Sequence, residues 1–173
     1  MAKINSKSKG SKNERAIAKL LTLWTGYEFA RVPMSGGLGW QNRIQVTGDV
    51  IPTDPKEMVK FPFSVEAKFY REIVLDSPLL DHRAKWQDWW DQSCNDAERS
   101  GKLPLVFMRR NLMPKDEHYV IVEDDIFDEM SITPSFNNPR GFFNYNHEVV
   151  IFPSRDLFRA NYKEIEKRLN QLV

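Results

Sequence analysis

The spacing of apolar residues near the start of the chain predicts an amphipathic helix. The apolar residues that recur on one helical face are Ile17, Leu20, Leu21 and Trp24. Ser11 and Glu14 have the spacing of a capping box, in which two side chains accept hydrogen bonds from free amides at the start of a helix. Gly26 is the residue type that commonly ends one. We therefore predict a helix that begins at Ser11 and ends at Gly26.

The next part of the chain predicts strands joined by a loop and a turn. Runs rich in β-branched and aromatic residues read as strands at residues 27–32, 44–51 and 61–69. A glycine-rich loop at residues 33–40 separates the first two runs. A turn that contains Pro52, Asp54 and Pro55 joins the last two.

A second helix is predicted to begin at Ser77, because serine favours the cap and Pro78 the first helical position. It continues to about Arg99, and Gly101 closes it. Its apolar face carries Trp86, Trp89 and Trp90. Their helical spacing favours packing in the core or in a dimer interface over stacking on unpaired bases.

Beyond residue 101 the pattern predicts a β-rich and helical extension. Strands are expected at residues 103–109, 118–122 and 149–152, an acidic helical turn near 123–130 and a loop at 131–146. Ser154 is expected to cap a C-terminal amphipathic helix, whose inward-facing residues are Leu157, Phe158, Tyr162, Ile165 and Leu169. The fold class is therefore α/β, with a central mixed β-sheet flanked by helices and a C-terminal β/α extension.

The order of these elements predicts one domain over residues 11–173, with a core at about 11–110 and an extension at about 111–173. Residues 1–10 are rich in Lys, Ser and Asn, and we expect a flexible basic arm there. A length of 173 residues suits a single domain with a substantial core.

Composition excludes several classes of protein. The chain is 41% apolar and 28% charged, which is typical of a globular protein and not of a disordered chain. It has no apolar run long enough to span a bilayer and no apolar signal segment at the N-terminus. Cys94 is the only cysteine, which fits a reducing, cytoplasmic setting. The three histidines lie far apart along the chain, so nothing supports a zinc site.

The charge is near zero overall, at +1, but it is unevenly distributed. Residues 1–48 carry eight Lys and Arg against two acids, whereas residues 113–131 carry seven acids against one Lys. This asymmetry favours a basic surface for phosphates in the first region and an acidic patch in the second. The alternative for the first region is an ordinary solvated, lysine-rich tail.

The candidate chemistry lies at Asp49, Glu66 and Lys68. Side chains alternate along a strand, so Glu66 and Lys68 project from the same face. Asp49 can reach the same place if its strand pairs with theirs as a hairpin. The two carboxylates offer hard oxygen ligands suited to Mg²⁺, with Mn²⁺ as the alternative, and such an ion activates water for attack on a phosphate. A lysine beside them can orient that water or neutralise charge on the phosphate.

Asp, a variable gap and Glu-x-Lys on adjoining strands resemble the PD-(D/E)xK nuclease superfamily. The chain is most similar to its archaeal and phage-type Holliday junction resolvases. The residues that carry the resemblance are Gly10-Ser11-Lys12-Asn13-Glu14-Arg15, Arg31, Ser35-Gly36 and Glu66-Ala67-Lys68, followed by a helix that bears Gln87 and Gln92. The match covers about residues 10–110, and position 48 is Gly instead of the motif's Pro. It implies a restriction-endonuclease-like fold and cleavage of four-way DNA junctions.

The resemblance also implies roles for individual residues. Asp49, Glu66 and the main-chain carbonyl of Ala67 would bind the metal ion, and Lys68 would be the catalytic lysine. Glu14 matches a first-helix carboxylate at the metal site, and Ser35 matches a loop serine near the scissile phosphate. Contacts with nucleic acid are expected from Arg31, Lys12, Arg15 and Arg43. A four-way junction needs two symmetric cuts, so a homodimer is expected.

Several alternatives stay open from the sequence alone. The capping box accounts for Glu14, a turn accounts for Ser35, and a same-face ion pair accounts for Glu66 and Lys68. The enzyme could be another PD-(D/E)xK DNA nuclease, restriction-like or recombination-linked. The chain could also be a non-catalytic DNA-binding module of the same fold, or a protein-interaction domain that uses its tryptophan helix and acidic patch. Either Gln87 or Gln92 could approach the site.

Overall fold

The structure is a computed structural model that describes residues 6–32, 47–75, 83–133, 135, 142–143 and 148–172. The helices in these ranges are α1 (Ser6–Thr25), α2 (Pro55–Lys60), α3 (Lys85–Ser100), α4 (Asp124–Met130), α5 (Ser154–Arg159) and α6 (Tyr162–Leu169). The strands are β1 (Phe29–Arg31), β2 (Val50–Pro52), β3 (Phe63–Tyr70), β4 (Leu103–Arg110), β5 (Tyr119–Glu123), β6 (Phe142–Phe143) and β7 (Glu148–Pro153). None of these helices is long and apolar enough to cross a bilayer.

The strands form one mixed sheet in the order β1-β2-β3-β4-β5-β7-β6. β3 and β4 are parallel, and every other neighbouring pair is antiparallel. A parallel pair needs a crossover connection, which α3 supplies here. The predicted α/β class, with a central mixed sheet flanked by helices, is confirmed. This is the restriction-endonuclease-like architecture.

Apolar side chains cover both faces of the sheet. One face buries Val65 and Phe107 against α1, α4 and α6. The opposite face packs against α3, where Trp86 and Trp90 are fully buried and Trp89 is nearly so. The tryptophans therefore pack in the core, as their spacing predicts. Alternation along β3 turns Val65 toward α1, whereas the next residue, Glu66, faces α3.

The first helix begins earlier than the sequence pattern predicts. α1 starts at Ser6, so Ser11 lies inside the helix and the predicted capping box with Glu14 is wrong. Residues 6–10, which we predicted as part of the basic arm, are helical. Lysine is a good helix former and one interior glycine costs only about 1 kcal/mol, so Gly10 does not stop the helix. The predicted end is confirmed, because Gly26 follows the helix with φ of 79°.

The region before β3 contains a helix that the sequence analysis missed. Pro52 ends β2, and the rest of the predicted turn leads into α2. The Asp54 side chain caps this helix by accepting hydrogen bonds from the amides of Lys56 (2.7 Å) and Glu57 (3.3 Å). An Asp cap followed by Pro is a strong helix start. β2 is also shorter than predicted, because residues 47–49 are not in a strand.

The tryptophan helix does not run from the predicted start at Ser77. Residues 76–82 lie outside the described residues, and Arg83 and Ala84 precede α3 without being helical. The amide of Ala84 donates to the Gln87 side chain at 2.7 Å, which satisfies a free donor where α3 begins. The predicted end at Gly101 is confirmed, with φ of 62°.

The predicted C-terminal helix is in fact two helices. Ala160 is extended between α5 and α6, and Asn161 caps α6 by accepting a hydrogen bond from the Lys163 amide at 3.1 Å. Ser154 does not cap α5, because its hydroxyl accepts from the His118 amide at 3.0 Å. The predicted inward face is otherwise confirmed. Its buried members are Leu157, Tyr162, Ile165 and Leu169, and Phe158 is partly buried against the same core.

His118 links β5 to α1 and makes stability depend on pH. It is 1% exposed, and its Nε2 lies 3.0 Å from Asn13 Oδ1. Burial, and after it the charge of Arg109, lowers the pKa of His118 from 6.5 to about 4. The folded protein therefore keeps this ring neutral while the unfolded chain binds a proton. This contributes stability that is complete above pH 6.5 and is lost as the pH falls toward 4.

We expect His118→Gln to weaken this acid sensitivity. The lowered pKa corresponds to a loss of about 3 kcal/mol for the wild type across that interval, whereas glutamine does not titrate and can still donate to Asn13. Urea unfolding at several pH values from 7 to 4 measures both free energies of unfolding. Parallel pH curves for wild type and variant would contradict the prediction.

Candidate active site

Asp49 is positioned by a close approach between the residues before β2 and the middle of β3. Its amide donates to the Val65 carbonyl at 2.7 Å, and its Oδ2 accepts from the Ala67 amide at 2.9 Å. Gly48 makes the approach possible: its φ is 89°, and a Cβ there would lie 2.6 Å from the Val65 carbonyl oxygen. No residue with a Cβ fits that space, so the position before Asp49 requires glycine.

Glu66 and Lys68 form a hydrogen-bonded group with Gln92 of α3. Lys68 Nζ donates to Glu66 Oε1 at 2.5 Å and to Gln92 Oε1 at 3.0 Å, and Gln92 Nε2 donates to Glu66 Oε1 at 3.3 Å. Glu66 is 4% exposed. The same-face arrangement of Glu66 and Lys68 is therefore confirmed. Of the two candidate glutamines, Gln92 reaches the site, while Gln87 bonds the main chain of Ala84.

Asp49 and Glu66 lie close enough for each carboxylate to influence the pKa of the other. Burial first, and then the charge of Asp49, raises the pKa of Glu66 to about 7, even though Lys68 lowers it. Burial also raises the pKa of Asp49; the Ala67 amide lowers it, and the charge of Glu14 raises it. One ammonium therefore does not offset the negative charge of these buried carboxylates.

Comparison with known proteins identifies the family. Residues 5–166 match the family described as "Phage putative PDDEXK endonuclease". The chain belongs to this family. Protein D14 of Escherichia phage T5 is 26% identical over 110 residues, which are 62% of this chain and 66% of that protein. The match thus spans just under two thirds of the relative's own length. No solved structure matches the chain significantly.

Nucleases of the PD-(D/E)xK type generally use divalent metal ions, and the donor set of this chain fits one. Asp49 and Glu66 supply carboxylate oxygens, which are hard ligands, and their raised pKa values show that the site favours added positive charge. Within the described residues, His, Cys, Asp and Glu do not form a metal-binding group of three or more. An ion held here would have two carboxylate ligands, from Asp49 and Glu66, and a main-chain carbonyl and waters would complete its coordination.

Glu14 approaches the site from α1. It forms an ion pair with Arg31 of β1, and the side chains of both residues are largely buried. Its charge also raises the pKa of Asp49. The structure thus brings Glu14 to the edge of the site, where Arg31 neutralises it. The expected metal contact of Glu14 and the phosphate contact of Arg31 stay predictions.

For three of the other predicted site residues the structure gives a position but no contact that tests the predicted role. Ala67 lies between Glu66 and Lys68, and its amide is the donor to Asp49. Lys12 and Arg15 are exposed on α1. Ser35 and Arg43 lie outside the described residues, so their predicted roles stay predictions.

Two features of the site are absent from the sequence analysis. Asp96 of α3 is near enough to raise the pKa of Glu66. Thr47 joins β3 to α3 through hydroxyl hydrogen bonds to Ser64 (2.9 Å) and Ser100 (2.7 Å), just before the loop that carries Asp49. The sequence signal for the close approach of Asp49 to β3 was Gly48, because glycine lets two stretches of backbone come close together.

Proposed function

We propose that this endonuclease cleaves branched DNA as a Mg²⁺-dependent Holliday junction resolvase, working as a homodimer in the host cytoplasm. The convergence of Asp49, Glu66 and Lys68 at the end of the β2–β3 pair supports hydrolysis of phosphodiesters. The similarity of the first helix and of Arg31 to junction resolvases supports the branched substrate. A homodimer supports paired cuts, because a two-fold axis relates two equal sites.

Each residue of the site then has a distinct task. Asp49 and Glu66 would hold the ion together with the Ala67 carbonyl. When bound, the ion supplies positive charge that stabilises negative charge developing on the phosphate. Lys68 places its ammonium beside the carboxylates, where it can neutralise a phosphate oxygen or orient a water molecule. Gln92 fixes Lys68 and Glu66 relative to each other, which reduces the motion needed when substrate binds.

Cleavage of a synthetic four-way junction tests the proposal against a linear duplex of the same sequence. We expect the wild type to cut the junction at least about tenfold faster, which corresponds to about 1.4 kcal/mol of selectivity. EDTA should abolish cutting and Mg²⁺ should restore it. Two nicks within one binding event, and a dimeric mass in solution, are the expected signs of the homodimer.

Equal cutting of linear duplex would contradict junction selectivity and favour a restriction-like or recombination-linked nuclease of the same superfamily. Binding without any nicking would contradict catalysis and favour a DNA-binding module. DNA affinity that does not fall with salt would contradict phosphate recognition itself, since contacts with phosphates release counterions.

A further inference from the structure

A pocket lies on the α1 face of the sheet, outside the candidate active site. It has a volume of about 220 Å³ and lies between α1, the ends of β3 and β4, and the loop that joins β4 to β5. Four cationic side chains line it, and we call it the cationic pocket; they are Lys9, Lys12, Arg109 and Lys115.

Positive charge dominates the cationic pocket. Of the described residues that line it, Asp116 is the one that carries a carboxylate. Across the described part of the chain, the four cations form no ion pair with any carboxylate. His118, which also lines the pocket, is neutral at pH 7, because burial and then Arg109 lower its pKa. Like charges that are not neutralised by carboxylates create a local field that favours an anionic ligand.

The loop that carries Lys115 is held in a fixed shape. The Arg109 guanidinium donates to the carbonyls of Met113 (3.0 Å), Pro114 (2.8 Å) and Glu117 (2.6 Å). These bonds use three of the five N–H donors of Arg109 and leave its charge uncompensated by a carboxylate. Leu112 and Asp116 hold left-handed backbone conformations, with φ of 65° and 63°. Such conformations persist when surrounding contacts fix them. Lys115 is therefore held near the pocket before any ligand binds.

The cationic pocket also has an apolar wall and a free amide. Phe69 is half-buried, and its ring centroid lies 5.8 Å from Lys9 Nζ and 5.9 Å from Arg109 Cζ. Asn13 is 5% exposed, and among the described residues its Nδ2 has no hydrogen-bond partner, while its Oδ1 is 3.0 Å from His118 Nε2. Cations beside an aromatic ring and an unused amide donor match the mixed chemistry of a nucleotide, which joins phosphate to sugar and base.

The cationic pocket lies next to the candidate active site, on the opposite face of β3 from Glu66 and Lys68. Phe69 follows Lys68 in β3, and consecutive strand residues point to opposite faces of the sheet. Asn13 likewise directly precedes Glu14 in α1. Phe69 is also the register partner of Arg109 in the parallel β3–β4 pair. A DNA strand that passes Lys68 and turns over the end of β3 would therefore meet the pocket within a few nucleotides.

We propose that the cationic pocket binds a nucleotide of the cleaved strand close to the scissile bond. Its phosphate lies among Lys9, Arg109 and Lys115, and its sugar or base lies against Phe69. This inference rests on the proposed function, because it assumes that a DNA strand occupies the adjacent site. It gives the enzyme a means to hold a strand that leaves the duplex path, as strands do at a branch point.

Neutral phosphates give the sharpest test. The full-length protein is bound in EDTA to four-way junctions in which single phosphates around the branch point are replaced by methylphosphonates. One or two positions should weaken wild-type binding about fivefold. The double variant Lys9→Gln with Lys115→Gln should lose a similar factor. When the double variant binds the modified junction, the affinity should be almost the same as after either change alone, because both changes remove the same contact. The variant should also lower the slope of log Kd against log salt by about one.

Lys167→Gln on α6 is the matched control, because it removes an exposed lysine that does not line the pocket. In this variant the methylphosphonates should weaken binding by the same factor as they do in wild type. Strictly additive losses for every phosphate, with an unchanged salt slope, would overturn the pocket proposal even if wild type cuts junctions. If the losses of affinity from the double variant and from the modified DNA are not additive, but wild type cuts no DNA, the proposed function is overturned and the pocket proposal stands. Unfolding temperatures of the variants establish that they are folded.

Discussion

Asp49→Asn is expected to abolish DNA cleavage and, in the same protein, to raise stability when no divalent ion is present. Asparagine keeps an oxygen that accepts from the Ala67 amide, so the local geometry survives. It removes one of the two carboxylates that would bind the ion, and we expect cleavage to fall on the order of a thousandfold or more. The measurement is single-turnover cleavage of a four-way junction in Mg²⁺.

The rise in stability follows from the sign of the pKa shift. Burial raises the pKa of Asp49, so the folded protein disfavours the charged carboxylate. A group of this kind contributes stability below its unfolded pKa, and that contribution is lost as the pH rises through its folded pKa. At pH 7.5 in EDTA the wild type therefore bears a cost that the Asp49→Asn variant does not. The difference in unfolding temperature should shrink as the pH falls, because protonation removes the buried charge of Asp49 in the folded wild type.

Asp54→Asn is the matched control for this pair of effects. Asp54 is exposed at the start of α2, and asparagine caps helices as well as aspartate does. It carries the same change of charge outside the site, so neither cleavage nor stability should change appreciably. Mg²⁺ should raise the unfolding temperature of wild type and of Asp54→Asn, but not that of Asp49→Asn, because only binding to the folded state stabilises it. Full cleavage by Asp49→Asn would end the proposed mechanism, and a lower stability in EDTA would refute the electrostatic argument.

The convergence of Asp49, Glu66 and Lys68 was predictable because it depends on short-range rules. Alternation along one strand fixes the shared face of Glu66 and Lys68, and pairing of the neighbouring strand brings Asp49 to them. The buried tryptophans of α3 were predictable for the same kind of reason, since helical spacing defines one apolar face. In both cases the local pattern and the tertiary packing agree.

The errors lie where tertiary contacts override local signals. Ser11 and Glu14 have capping-box spacing, yet α1 continues through them and Glu14 instead pairs with Arg31 of β1. Ser154 looks like a helix cap, but its hydroxyl bonds the amide of His118. Those partners are distant in the sequence, so no local pattern identifies them. The choice of Gln92 over Gln87 likewise depends on where α3 begins, because a shift of a few residues turns a different side chain toward β3.

Gly48→Ala is expected to destabilise the protein by about 3 kcal/mol and to reduce cleavage severely, although position 48 contributes no side chain to the site. Alanine at φ of 89° is strained, and its Cβ would lie 2.6 Å from the Val65 carbonyl oxygen and 2.9 Å from the Val65 nitrogen. Both contacts are with main-chain atoms of β3, which cannot move aside as a flexible side chain would. Relief therefore requires Asp49 to move away from Ala67, and small displacements of a catalytic group cost rate steeply.

Gly26→Ala separates the two causes of this loss. Gly26 has a similar φ of 79°, but a Cβ there would meet nothing within 4 Å. It should cost only the penalty of a left-handed backbone, about 1 kcal/mol, and should leave cleavage intact. Urea unfolding of both variants gives the difference, which is the energetic cost of crowding β3 at Val65. Equal losses for the two variants would mean that Asp49 is held without the close approach, and the requirement for glycine before it would then be one of backbone conformation alone.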